Sequence, residues 1–260
     1  MEELLNHGAD VEGTVGQLQT TPLQWALWHK SLDITRLLLQ RQASQDRMNL
    51  RGWNTVFFLW SRLRAGEPCM MEFLNLLAED SYLDLDVADA QNWTVLDRVA
   101  AVGTAKEVRR LIDLGANPHQ EAMPLRWTAI HQAVYHGNPE TFEALLPVYG
   151  DAVKDMVDAR GWTLLHIAAS AGQDRISRRL LSIGLSADAR SKPYRSHMPA
   201  SLFERMCTPQ EVAAAQSTDV EMSFLEILRE HGLSTGYVMI PSDSDGDDDQ
   251  EFCEAREYAI

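Results

Sequence analysis

The chain reads as an all-α solenoid of helix-turn-helix units with projecting β-turns, and three observations carry that reading. A Thr followed by an apolar stretch recurs at Thr21, Thr55, Thr94, Thr128, Thr163 and, in a weaker copy, Thr208, at spacings of 34, 39, 34, 35 and 45 residues. A second apolar stretch follows about 16 to 18 residues later, at Leu37-Leu38-Leu39, Leu111-Ile112, Leu145-Leu146 and Leu180-Leu181. Turn residues lie between the two stretches, among them Gly103, Gly137 and Gly172.

Each unit follows from simple chemistry. The Thr oxygen accepts from a free amide of the first helical turn, and Pro22 and Pro209 fit the first helical position, where no intrahelical amide bond is lost. The Leu and Ala residues of a stretch such as Thr163-Leu164-Leu165-His166-Ile167-Ala168 then face inward. Gly103, Gly137 and Gly172 are expected to end the first helices at positive φ. Gly115-Ala116-Asn117-Pro118 and Asp158-Ala159-Arg160-Gly161 have the composition of a projecting β-turn.

In chain order, residues 1–18 hold the second half of a unit, Leu4 to Val11, with no first helix before it. Either the chain is a piece of a longer array or this half-unit is a frayed cap. The array spans 19–240, with units near 19–50, 51–90, 91–124, 125–159 and 160–190 and a divergent last one at 206–235. The second unit carries an insertion around Arg64-Ala65-Gly66-Glu67-Pro68, so its apolar pair Leu76-Leu77 arrives late. The connection from Ser186 to Cys207 has loop signals at Lys192-Pro193-Tyr194 and His197-Met198-Pro199, and is expected to be more mobile than the units. Residues 241–260 hold eight acidic residues and one Arg, net −7 of the chain's −15, the composition of a solvated acidic tail.

Taken together, the Thr-led stretches resemble ankyrin repeats, whose signature T-P-L-H-x-A recurs with a period of about 33 residues. Thr163 to Gly172 is the best copy, and Thr21 to Ala43 follows the whole two-helix pattern. The resemblance covers roughly residues 4 to 233. It implies a non-enzymatic scaffold that binds a protein partner through its concave face and turn tips.

Composition narrows the alternatives. No apolar run approaches the roughly 20 residues that span a bilayer, and the first residues lack the cationic and apolar regions of a signal peptide. Cys69, Cys207 and Cys253 have no C-x-x-C spacing, so neither a disulfide framework nor a zinc site is encoded. A net charge of −15 opposes a phosphate backbone. The expectation is therefore an intracellular monomer, cytoplasmic or nuclear, that needs no cofactor, metal, nucleic acid, membrane or small-molecule substrate.

Three apparent motifs have plain readings. His131 and His166 sit at the signature's His position and are expected to bond the capping Thr. Gly232-Leu233-Ser234-Thr235-Gly236 spells G-x-S-x-G, but it follows a helix, Phe224 to His231, rather than a strand. Asp243, Asp245, Asp247, Asp249 and Glu254 can be written as a calcium loop, yet Asp248 stands where the turn needs Gly.

The Trp residues carry more. Trp53, Trp93, Trp127 and Trp162 lie just before the capping Thr, with one extra residue at Trp53. The resemblance places that slot at the base of the projecting turn, where two roles stay open: rings packing on one another between turns, or contact with a partner. The slots at the end of the first helix hold Trp28-His29, Arg62-Leu63, Ala101-Val102, Tyr135-His136 and Ser170-Ala171. The resemblance puts these on the concave face. The candidate partner-binding residues are thus Trp28, His29, Arg62, Trp93, Trp127, Tyr135, His136 and Trp162. Two alternative readings are a recruitment subunit that uses the acidic tail to dock a basic partner and a C-terminal fragment of a larger multidomain enzyme. Ser242 and Ser244, each with an Asp three residues on, resemble substrates of acidophilic kinases.

Overall fold

The capping Thr residues start helices as their chemistry requires. Thr21, Thr94 and Thr208 are extended, and each side chain accepts from the amide three residues on: Gln24 at 3.3 Å, Asp97 at 3.2 Å and Glu211 at 3.3 Å. At Thr128 and Thr163 the backbone amide donates instead to Nδ1 of His131 and of His166, both at 3.1 Å. The signature His is thus half of a capping box.

These caps organise a computed structural model that describes residues 2–60, 70–79, 83–90, 92–194, 200–202 and 205–235. A short α1 (Glu2–Asn6) precedes five helical hairpins or parts of them. They are α2 (Pro22–Trp28) with α3 (Leu32–Gln40), a 3-10 turn (Val56–Leu59) with α4 (Met70–Ala78), α5 (Val95–Val102) with α6 (Ala105–Asp113), α7 (Ala129–Tyr135) with α8 (Pro139–Tyr149), and α9 (Leu164–Ser170) with α10 (Asp174–Ser182). A sixth hairpin pairs α11 (Pro209–Ala214) with α12 (Thr218–Glu230).

First helices stack on first helices in the order α5, α7, α9, α11, while α6 packs on α8 and α10 on α12. Leu96, Ile130 and Leu165, equivalent by register, are fully buried in one core that runs from Leu27 to Leu228. A smaller cluster of Leu23, Ala26, Leu38 and Ala43 packs with Leu5 and Val11 at the N-terminal end. Neighbouring units also share hydrogen bonds. Asn138 Nδ2 donates to Gly103 O at 2.9 Å, and Gln173 Nε2 to Tyr135 O at 3.2 Å. On the outer helices Arg179 pairs with Glu143 and Arg178 with Glu230, half-exposed contacts worth little singly.

The turns are joined in a row. Isolated bridges close Val15 to Thr20, Ala122 to Trp127 and Val157 to Thr163. Between neighbouring turns, Leu50 N donates to Leu18 O, Ala90 N to Arg51 O, Ala159 N to Leu125 O and Lys192 N to Arg160 O, all within 3.0 Å.

Three expectations change. Thr55 lies in the right-handed helical region and caps nothing; Asn54, one residue earlier, accepts from the Phe57 amide at 3.4 Å. The extra residue before this unit displaces the cap, and its first segment shortens to a 3-10 turn. Gly103 is extended, with φ −89°, unlike Gly137 and Gly172 at +70° and +64°. A Cβ there would stand 2.7 Å from Val99 Cγ1 and 2.8 Å from Val99 O, so close approach excludes a side chain. Gly103→Ala is accordingly expected to lower stability by about 1–3 kcal/mol in urea unfolding, and an unchanged midpoint would refute the crowding. The described part of the 186–207 connection is tied down rather than loose: Ser191 exchanges hydrogen bonds with Cys207, and Leu202 is fully buried.

Arg62, the insertion near Arg64, His197-Met198-Pro199 and the tail with Ser242 and Ser244 lie outside the described residues. Gly232 ends α12 at φ +67°, and Ser234 follows the helix with no strand before it among the described residues. No helix among the described residues is long and apolar enough to cross a membrane.

Candidate functional site

The surface built by the turns and the ends of the first helices starts from a local pattern, an Asx four residues before a Trp. Asn49, Asp89 and Asp158 each accept from the amide of Trp53, Trp93 and Trp162 respectively, at 3.0 Å, which fixes where each ring leaves its turn. The second carboxylate oxygen reaches back one unit. Asp89 Oδ2 accepts from Trp53 Nε1 at 3.2 Å, and Asp158 Oδ2 from Trp127 Nε1 at 3.1 Å.

An Arg closes each of these clusters. Arg98 donates to Asp89 at 2.6 Å, and its guanidinium lies 4.8 Å from the Trp53 ring and 5.6 Å from the Trp93 ring. Arg160 donates to Asp158 through Nε at 2.9 Å and Nη2 at 2.7 Å, and lies 3.7 Å from the Trp162 ring and 5.6 Å from the Trp127 ring. The side chains of Asp158 and Arg160 are 0% and 4% exposed. Burial lowers the affinity of the Arg160 guanidinium for its proton, and Asp158 opposes that shift. In this dry setting the pair and its hydrogen bonds lock one turn onto the next.

The four Trp rings differ in how far they reach the surface. Trp162 is fully buried, and Trp53 nearly so, so both pack the turns. Trp162 therefore offers no area to a partner; the packing role is the one its geometry fits. Trp93 and Trp127 stay half-buried. So do Tyr135 and His136, and the four rings form a connected set: Trp93 to His136 at 6.0 Å, His136 to Tyr135 at 5.3 Å and Tyr135 to Trp127 at 5.1 Å.

A second aromatic group lies at the first unit. Trp28 is half-buried against Phe58 at 6.3 Å, His29 is exposed and stacks on Trp25 at 5.5 Å, and Trp25 is 39% exposed. Val15, Leu18, Thr20, Trp25, Trp28 and Phe58 line a cleft of about 300 Å3. Trp25 was not singled out by sequence reasoning. Its signal was a large apolar residue at a position between the inward-facing Leu23 and Ala26.

The buried titratable groups have structural partners. Burial pushes the imidazoles of His131 and His166 down to about 4, so each stays neutral and keeps Nδ1 as an acceptor for its capping Thr. His166 Nε2 also bonds Cys207 O at 2.9 Å, tying its unit to the next. Burial raises Asp97, which takes the signature His position in the third unit, to about 7. No group of three or more His, Cys, Asp or Glu side chains among the described residues is placed to hold a metal ion.

Comparison with known proteins fits this geometry. Residues 96–192 match the family described as ankyrin repeats (3 copies). Among curated proteins, the chain is similar to protein phosphatase 1 regulatory subunit 27 of Mus musculus, 38% identical over 87 residues, which is 34% of this chain and 55% of that protein. It is also similar to the Homo sapiens protein of the same name, 44% identical over 66 residues, 25% of this chain and 42% of that one. The chain thus spans about half the length of the curated relatives it matches. Among solved structures, a chain from the complex of a predatory endopeptidase of Bdellovibrio bacteriovorus with an immunity protein has a TM-score of 0.60 at 18% identity, over 80% of this chain and 98% of that one. At that identity the likeness is one of fold. An all-α ankyrin-repeat domain occupies residues 96–192.

Proposed function

We propose that this chain, with ankyrin repeats at residues 96–192, is a non-enzymatic, monomeric solenoid scaffold that binds a protein through its concave face and turn tips. The observation that carries the reading is the division of labour among aromatic residues. Trp53 and Trp162 are consumed by packing, whereas Trp25, Trp28, His29, Trp93, Trp127, Tyr135 and His136 keep exposed area on the inner helices and turns. Large aromatic side chains of this kind dominate binding energy at interfaces. Arg62 belongs to the same register and joins the proposed site on that ground. The curated relatives are regulatory subunits by name.

Two secondary roles attach to the C-terminal segment. An acidic tail at 241–260 would dock a basic partner, and phosphate at Ser242 or Ser244 would add about −1.5 to −2 each and strengthen that docking. The alternative reading makes the chain a C-terminal fragment of a larger multidomain enzyme.

Changing Trp28 and Tyr135 to Ala is expected to leave helicity by circular dichroism nearly intact and to weaken partner binding by roughly thirtyfold or more per true anchor, about 2 kcal/mol. Unchanged affinity in the double variant would move the site to the tail or the inserted loops.

A further inference from the structure

The cleft at the first unit joins an uncharged lining to a cationic rim, in a chain that is acidic as a whole. Its volume is about 300 Å3, and none of its lining residues is charged. Val15, Leu18 and Trp25, which line it, each keep a third or more of their surface exposed. We propose that this cleft is the docking site for the acidic C-terminal segment of the same chain, with Phe252 in the cleft and the acids around it on the rim.

The rim is built from the elements that line the cleft. From Val15 to Trp60 the chain holds Lys30, Arg36, Arg41, Arg47 and Arg51 against Asp33 and Asp46, although the whole carries −15. Asp33 and Arg36 lie in the outer helix α3 and Arg41 follows it, which leaves Lys30, Arg47 and Arg51 against Asp46 on the inner and turn side. The Lys30 ammonium donates to the carbonyl of Phe58, a lining residue, at 3.5 Å. Arg51 is exposed on the second turn, which is joined to the first by Leu50 N donating to Leu18 O at 3.0 Å. Arg47 precedes that turn: its carbonyl accepts from Gln24 Nε2 of α2 at 2.7 Å, and its exposed guanidinium lies 3.7 Å from Glu12. An apolar side chain enters such a lining without stranding a charge, and the rim favours carboxylates beside it.

The C-terminal segment has the complementary chemistry and the reach. Asp243, Asp245, Asp247, Asp248, Asp249 and Glu251 precede Phe252, the first large apolar residue after Ile240, and Glu254 follows it. Between α11 and α2 lie α9, α7, α5 and the 3-10 turn, so at about 8–10 Å per step the last unit is roughly 40–50 Å from the first. From Thr235 to Phe252 the chain extends over as much as about 55–60 Å, and its run of like charges favours extension. Tyr237 to Ile240, the apolar run just past Thr235, stands too near the last unit to reach the cleft. Docked in this way, the segment covers Trp25 and Trp28 and competes with a partner for that end of the inner face.

The inference goes beyond the partner reading, and the two fail separately. The full chain, labelled with nitrogen-15, is compared with its Phe252→Ser variant while the seven Trp indole signals are followed. Trp25→Phe and Trp28→Phe assign the two relevant signals. Phe252→Ser is expected to move the Trp25 and Trp28 indoles and to leave the others in place. A synthetic peptide of residues 245–256 should then return both signals saturably, with an affinity about threefold or more weaker at about 0.5 M salt than at about 0.05 M. Identical Trp25 and Trp28 signals in wild type and Phe252→Ser would overturn the inference, as would a peptide response spread over all indoles. A wild-type pattern that changes on dilution would also overturn it, since the occupant would then be the tail of a second copy. If Phe252→Ser moves nothing while Trp28→Ala with Tyr135→Ala still weakens partner binding, the tail docking falls and the binding face stands.

Discussion

Replacing Asp158 with Ala is expected to lower the unfolding free energy by about 3–5 kcal/mol. The carboxylate accepts from Arg160 N, Arg160 Nε and Nη2, Trp162 N and Trp127 Nε1. Removing it leaves a guanidinium with a 4% exposed side chain without its counter-charge and strands several buried donors. A double change, Asp158→Leu with Arg160→Met, should recover much of the loss, because apolar replacement of both partners removes the buried charge along with its acceptor. Asp89→Ala should cost less, since the Arg98 side chain is 13% exposed and water can reach it. Urea unfolding of the three variants checks the order. A loss below 1 kcal/mol for Asp158→Ala would mean that the turns are held by other contacts.

The second large effect is in pH. His131 and His166 have values of about 4 in the fold against 6.5 in the unfolded chain, so the unfolded state binds protons first. Their contribution is complete above pH 6.5 and is lost as pH falls towards 4, to the extent of about 3 kcal/mol each. Asp97 works in the opposite sense. Its value of about 7, against 3.8 unfolded, gives stability that is present below pH 3.8 and lost as pH rises to 7. Between pH 7 and 4 the wild type should therefore still lose about 2–3 kcal/mol, because the single Asp97 offsets only part of what the two His residues lose.

Variants separate these contributions. Asp97→Asn should raise stability at pH 8 by roughly 4 kcal/mol and make the acid side steep. His131→Gln should flatten that side, since Gln24 shows that Gln serves the same cap: its Oε1 accepts from the Thr21 amide at 3.0 Å. Parallel pH profiles for wild type and both variants would refute the assignment.

Much of this architecture was legible because it rests on local chemistry. Thr21, Thr94, Thr128, Thr163 and Thr208 start helices because an oxygen or a backbone amide at a helix start has one good use, and the residue three on completes the box. Thr55 misled because the same letter one residue out of register lost the cap to Asn54. Gly103 misled because a glycine can answer to crowding as well as to positive φ, and only the packing of Val99 tells which.

The aromatic face was legible by position and not by state. The slot before each Thr identified Trp53, Trp93, Trp127 and Trp162, but their exposure depends on the packing around each ring: Trp127 is bonded to Asp158 and half-buried, whereas Trp53 is bonded to Asp89 and buried. The Asx-to-Trp spacing at 49–53, 89–93 and 158–162 is present in the sequence and is the signal for the turns whose Asx accepts from the Trp amide. Arg98, nine residues from Asp89, carries no such local signal; a helix and a turn must fold before they meet.

Hydrogen exchange on the full chain, with and without its affinity-captured partner, tests most directly whether the inner face is the binding surface. Protection is expected in the ends of α2, α5 and α7 and in the turns that carry Trp93 and Trp127, with α3, α6, α8 and α10 unchanged. Protection confined to those outer helices or to residues 236–260 would contradict it.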